Sequence, residues 1–173
     1  MFVRILTILA LSLAAGSCDQ VKTTHLISFE MYGVQVAPDT ASGDESPLNQ
    51  TYTIEEVSFI SDDGTTEKVL LSSANQEEYV IVARRQIIFS VESKELDGES
   101  FSSVIVKFSP TVLAEDYDGD VMTTTLTSPT YSLTEDFSVS STDDIVFSIK
   151  VQWANTVQDG VMSEPNLVLA KDE

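Results

Sequence analysis

From Ile145 to Trp153 the odd positions Ile145, Phe147, Ile149, Val151 and Trp153 are all apolar, whereas Ser148, Lys150 and Gln152 fall between them. A period of two puts such a row on one face of a strand and cannot sit on one face of a helix. Val104, Val106 and Phe108 against Ser103, Ile105 and Lys107 repeat the pattern less strictly. Runs rich in Val, Ile, Phe, Tyr and Thr recur along the chain between clusters of Gly, Pro, Asp and Ser. They predict strands over Leu26–Val36, Tyr52–Ile60, Glu67–Leu71, Tyr79–Ala83 and Gln86–Val91. Further strands are expected over Phe101–Phe108, Val121–Thr127, Tyr131–Thr134, Phe137–Ser140, Ile145–Trp153 and Asn166–Ala170. No stretch of ten residues or more after the N-terminal segment carries a period of 3.6, and Thr111–Glu115 is at most one helical turn. Short strands separated by turns imply an all-β chain: a single antiparallel β-sandwich, with little or no helix beyond the N-terminal segment.

The turn chemistry agrees. Asp62-Asp63-Gly64 joins two strand candidates with the Asp-Gly pair that tight hairpins favour. Leu96-Asp97-Gly98-Glu99 and Asp118-Gly119 are further turn signals. Arg84-Arg85 reads as a charged hairpin tip or as the middle of one long bent strand. Ala37–Gln50 and Asn155–Pro165 read as surface loops.

The first residues have a different texture. Met1 to Arg4 carries one positive charge, Ile5 to Ala15 is apolar apart from Thr7 and Ser12, and Gly16-Ser17 precedes Cys18. A basic start, an apolar stretch and small residues at a cut site form the pattern of a secretory signal peptide, and the stretch falls short of the roughly 20 residues a permanent span needs. Cys18 is the single cysteine, which leaves no partner for an internal disulfide. Ala15-Gly16-Ser17-Cys18 resembles the lipobox of bacterial lipoproteins, although that family more often has a bulky aliphatic residue where Ala15 stands. The resemblance implies cleavage before Cys18, a diacylglycerol on its sulfur and acylation of the freed amine. Two or more acyl chains anchor a protein stably without help from an amphipathic helix. The expected organisation is therefore signal peptide over residues 1–17, lipidated Cys18 with a tether to Thr24, and one β-sandwich domain over residues 25–173.

Removing the signal leaves about 156 residues, enough for one core, with a net charge near −20 because Arg4 is lost from a chain at −19. Such a chain repels nucleic acid and anionic lipid, so an expected membrane contact falls to the acyl chains. The acidity itself reads as solubility, or as attraction for a cationic partner or divalent ions. The expected location is the bacterial cell envelope, anchored to a membrane, the outer one ahead of the inner, with the domain in the periplasm or at the cell surface. Asp19 is similar to the inner-membrane retention signal of enteric lipoproteins, so the leaflet stays open.

Chemistry-bearing residues are sparse. Asp116, Asp118 and Asp120 alternate in one loop, the hard-oxygen arrangement calcium uses. The EF-hand register fails, since Val121 stands at loop position six and Thr127 at position twelve. Either a calcium loop of another kind or a solvated acidic hairpin fits, and Asp62-Asp63 and Asp143-Asp144 read as turn acids. His25 is the single histidine and stands beside the tether, so a Ser-His-Asp triad would have to use it. Paired carboxylates for glycoside hydrolysis are too common here to single out. Trp153 reads as core or rim, and Tyr117 and Tyr131 as loop residues near the acids.

The layout as a whole resembles an uncharacterised domain of exported bacterial lipoproteins, of transthyretin-like or immunoglobulin-like sandwich fold. The resemblance rests on Leu96-Asp97-Gly98-Glu99-Ser100-Phe101, on the strand Val104–Phe108, and on Phe137-Ser138-Val139 leading into Ile145–Trp153. It spans about residues 50 to 155 and brings no catalytic residues with it. The function expected from all this is a non-catalytic binding or structural module of the envelope, not an enzyme, with an envelope protein as partner and no cofactor. A calcium-dependent binding or adhesion domain using Asp116, Asp118 and Asp120 is the alternative.

Overall fold

A computed structural model describes residues 24–35, 44–72, 77–153, 156–158 and 161–172. Residues 1–23 lie outside the described residues, and with them the expected signal peptide, Cys18 and all but Thr24 of the expected tether. What is described is a β-sandwich with one short 3-10 turn, Ser93–Leu96.

One sheet has the order β14 (Asn166–Lys171), β11 (Ile145–Gln152), β1 (Leu26–Val34), β6 (Gln86–Glu92). The other is organised around β3 (Asn49–Ser61), which at 13 residues spans about 40 Å. Along one edge of β3 run β4 (Glu67–Leu71) and β5 (Glu77–Ile81); β4 pairs with Val57 to Ile60, and β5 with Gln50 to Ile54. Along the other edge β7 (Ser100–Phe108) pairs with Ile54 to Ser61, and β8 (Thr111–Glu115) with Asn49 to Thr51. Beyond these, β9 (Val121–Thr125) pairs with β8, and β10 (Thr130–Ser138) with β7. The second sheet is thus four antiparallel lines, three of them interrupted at the same level. Pro110 and Pro129 stand at two of the interruptions, where a missing N–H cannot serve a ladder. A bulge between Ile54 and Glu56 bends β3 at that level too. A small third sheet joins β2 (Asp44–Glu45), β12 (Val157–Gln158) and β13 (Val161–Met162).

The two large sheets meet through aromatic rings. Phe59 from β3 lies 4.8 Å from Phe101, 5.1 Å from Phe137, 5.8 Å from Phe147 and 6.2 Å from Phe29, centroid to centroid. Phe29 and Phe147 stack at 5.1 Å within the first sheet. Ile27, Met31, Ile149 and Val151 extend the first sheet's inner face, and Ile54, Val57, Val104 and Val106 the second's. All are buried, as the alternation required.

The sandwich has two distinct ends. At the near end β1 begins; the Ser93 amide donates to the His25 carbonyl at 3.0 Å, and the 3-10 turn leads into β7. At the far end β1 finishes, its Gly33 amide donating to Val82 at 2.9 Å. A Cβ at Gly33 would come within 2.0 Å of the Trp153 indole, so this position has room only for hydrogen. Trp153 is fully buried and belongs to the core.

Several expectations are corrected. The β1–β11 pair is parallel, in an otherwise antiparallel sandwich. Thr111–Glu115 is strand β8, not a helical turn: Val112 and Ala114 face inward, and ladders on both sides outweigh the weak local preference. Arg84-Arg85 is neither hairpin tip nor mid-strand, because β5 pairs in one sheet and β6 in the other; the chain crosses between sheets there. Arg85 secures the crossing through Asp172 at 2.6 Å and by lying over the Tyr32 ring. Tyr131–Thr134 and Phe137–Ser140 join into β10, whose pairing shifts between Thr134 and Phe137. The segments around residues 44–50 and 156–165 hold short strands and buried Ser46, Gln50, Val157 and Met162, so they are not simple surface loops.

Because Phe59 touches rings from both sheets, Phe59→Ala is expected to cost about 3–5 kcal/mol of unfolding free energy. Urea denaturation followed by fluorescence measures it; a loss below about 1 kcal/mol would show that the sheets are held together elsewhere.

Candidate functional site

Two bulges at the near end open a groove. On β10 the residues Glu135 and Asp136 fall out of register with β7, and on β7 Ser102 falls out of register with β3. An extra residue bends its strand and re-aims side chains, which makes bulges frequent beside binding sites. The groove, of about 400 Å³, is lined by Asp62, Ser100, Phe101, Asp136, Phe137 and Ser138. The Ser100 and Ser138 hydroxyls lie 2.9 Å apart across the β7–β10 ladder. Beneath them Phe101 and Phe137 pack at 5.4 Å and are almost wholly covered, so the groove has an aromatic floor with little of it bare. Asp62 is held at the rim by its own amide, which donates to the Ser100 carbonyl at 3.2 Å.

Neither Asp62 nor Asp136 forms an ion pair among the described residues. Two carboxylates and two hydroxyls over an apolar floor can accept hydrogen bonds from a ligand's ammonium or hydroxyl groups. Sequence reasoning saw Asp62 only as a turn acid and did not single out Ser100, Asp136 or Ser138. The available signal was the loss of alternation at Glu135-Asp136, which reads as a strand break until the register is known.

The acids singled out for calcium lie at the opposite, far end. Asp116 to Asp120 form the tip of the β8–β9 hairpin, closed by Gly119 at φ +86°. One oxygen of Asp116 accepts the amides of Asp118 at 2.9 Å and Asp120 at 2.8 Å. That oxygen is engaged in shaping the turn. Among the described residues no three acidic, histidine or cysteine side chains converge on a common point. Tyr117 is exposed at the tip, whereas Tyr131 is half-buried against Phe108 at 5.8 Å, in β10 and not in a loop. Burial raises the Tyr131 hydroxyl's pKa, with nearby Glu164 adding to the shift.

His25 serves the fold. Its Nδ1 lies 2.9 Å from one Asp144 oxygen, and the other accepts the Leu26 amide at 2.9 Å. These two contacts hold the Asp144 carboxyl below its ordinary pKa, the Leu26 amide contributing most. The nearby Ser93 hydroxyl donates to the Asp143 carbonyl, so the residues that could mimic a triad are joined in a different pattern. Deeper in the far end, Gln50 Nε2 and Trp153 Nε1 are buried donors with no acceptor among the described residues.

Two outcomes are expected. A carboxylate whose folded pKa is lowered stabilises the fold above its unfolded value near 4 and loses that contribution as pH falls through the folded value. Wild-type stability should therefore exceed that of Asp144→Asn near pH 5, with the gap shrinking as pH falls through the folded value. A pH-independent gap in urea midpoints would contradict the assignment. With Asp116 committed to its own turn, calcium at about 1 mM should leave the melting temperature unchanged. A rise of several degrees that Asp118→Asn removes would instead establish a calcium site.

Comparison with protein-family models, with curated proteins and with solved structures finds no match for this chain.

Proposed function

We propose that the chain is a lipid-anchored, non-catalytic binding module of the bacterial cell envelope, held to a membrane through Cys18, the outer membrane ahead of the inner. The observation that carries this reading is the fixing of the domain's start at one end. His25 is fastened to Asp144 and Ser93, only seven residues after Cys18, a separation that spans about 25 Å at full extension. An acylated Cys18 would therefore hold the near end, with its groove, close to the bilayer and direct the far end outward. The groove would then meet ligands at the membrane side, recognised through Asp62, Asp136 and the two serine hydroxyls. A binding role accords with the groove's chemistry, which offers carboxylates and hydroxyls as hydrogen-bonding groups. The sulfur that could act as a nucleophile is assigned to the lipid.

Intact-mass analysis of the protein expressed in a bacterial host tests the anchor. The mature chain is expected to begin at Cys18 and to carry two or three acyl chains, and Cys18→Ala should move the protein from the membrane to the soluble fraction. An unmodified cysteine, or cleavage at another position, would overturn the reading.

A further inference from the structure

The far half of the second sheet's outer face gathers several of the exposed aliphatic residues of this acidic chain. Across that half a row runs Val80, Thr51, Leu113, Thr123, each opposite the next on adjacent strands. Val121 stands opposite Glu115 on the β8–β9 ladder, and Val82 follows the last residue of β5. Val80 is 53 % exposed, Leu113 40 %, Val121 69 % and Val82 37 %. Four aliphatic side chains are thus open to solvent on one half-sheet, with threonines between them. Leu48 extends the apolar surface at the far edge, its amide donating to the Glu115 carbonyl at 2.7 Å, and is itself 40 % exposed.

The border of this face is anionic. Glu78 flanks it on β5 and Glu115 lies within it, while Asp116, Asp118 and Asp120 follow in the hairpin tip that joins β8 to β9. Arg84 follows two residues past Val82, in the crossing to the first sheet. An apolar centre with a charged rim is the layout of a protein interface, and exposed aliphatic residues grouped on one face call for a partner more than scattered ones do. The sign of the rim selects the partner. A second copy would bring together chains of net charge −19 and set Glu115 and the acidic tip against like charges. A segment carrying lysine or arginine around aliphatic residues meets both the centre and the rim.

We infer that the far outer face of the second sheet, centred on Val80, Leu113 and Val121, is a docking surface for a basic, aliphatic segment of another protein. It lies at the end opposite the groove, so both could be occupied at once. Apolar contact holds the segment, while the rim carboxylates speed its approach and make binding weaken with salt.

A fluorescein-labelled peptide of alternating lysine and valine, titrated against the full chain in detergent and followed by anisotropy, tests this. Leu113→Ser and Val80→Ser remove apolar contact at exposed positions without adding charge, and circular dichroism verifies that each variant stays folded. Each is expected to weaken binding about tenfold, the scale of losing one central contact. The double variant Glu92→Gln/Glu95→Gln, which removes the same kind of charge at the near end, should leave affinity within about twofold. Absence of binding at submillimolar peptide would overturn the inference. So would equal weakening by the near-end variant, which would mark diffuse attraction to an acidic protein. A dimer in light scattering that Leu113→Ser dissolves would assign the face to a second copy and overturn it as well.

Discussion

Strand β3 hydrogen-bonds along both edges for nearly its whole length, and its inward side chains supply the centre of the second sheet. Its neighbours are interrupted; β3 bends without breaking. The interruptions beside it let each half of the sheet take its own inclination while the ladder remains continuous through β3. The near half carries Phe59, Phe101 and Phe137 onto the first sheet. The far half carries Tyr52 and Gln50 into the core, Gln50 standing between Ile81 and Ala114 on the adjacent strands. A strand limited to the usual five or six residues could not serve both halves.

The first sheet meets a different constraint. Its middle strand, β1, comes from the start of the fold and lies parallel to β11 from near the end of the chain. Parallel partners must begin at the same end, so Ile27 pairs with Ile145, and Asp144 sits where it can receive the Leu26 amide and the His25 ring. The near end is thereby closed by a contact between residues 119 apart in sequence. At the far end Gly33 performs the complementary task, giving the Trp153 ring a place against backbone. Between these two contacts β1 cannot slide along β11, since a shift by one residue would turn Phe29 and Phe147 to the wrong face.

Period-two alternation made the all-β class and most strand positions legible, because an inward row such as Phe147, Ile149 and Val151 has to be written into the chain. The hairpin turns at Gly64 and Gly119 were legible for the same reason: only a few residue types tolerate the positive φ they adopt. Pairing was not. Nothing local distinguishes Arg84-Arg85 as a crossover from a hairpin tip, since the difference lies in which distant strand each side joins. Thr111–Glu115 was missed because five residues give too little period to read. The groove was hidden for a related cause. Asp62 and Asp136 are 74 positions apart and meet only because two bulges, each defined by a partner strand, bring β3's end and β10 to either side of Ser100.

The acidity of the chain also takes on a structural meaning. Asp63 accepts the amides of Thr65 and Thr66, Asp116 those of Asp118 and Asp120, and Asp143 that of Ser140. Asp97 accepts the amide of Ser141, Asp144 that of Leu26, and Glu164 that of Thr127. Amides that turn backward at a strand's end have no ladder partner, and a short carboxylate side chain can supply the missing acceptor. The shift this produces is visible in Asp63, whose carboxyl the Thr65 and Thr66 amides hold below its ordinary pKa. Acids used in this way gather at the ends of the sandwich and in its turns. The sheet face they border is the threonine and aliphatic surface around Thr51, whose carboxylates are Glu78 and Glu115. The same distribution that closes the turns therefore gathers charge beside an apolar face: Asp116, which shapes the β8–β9 turn, stands next to Glu115 at the rim of the docking surface.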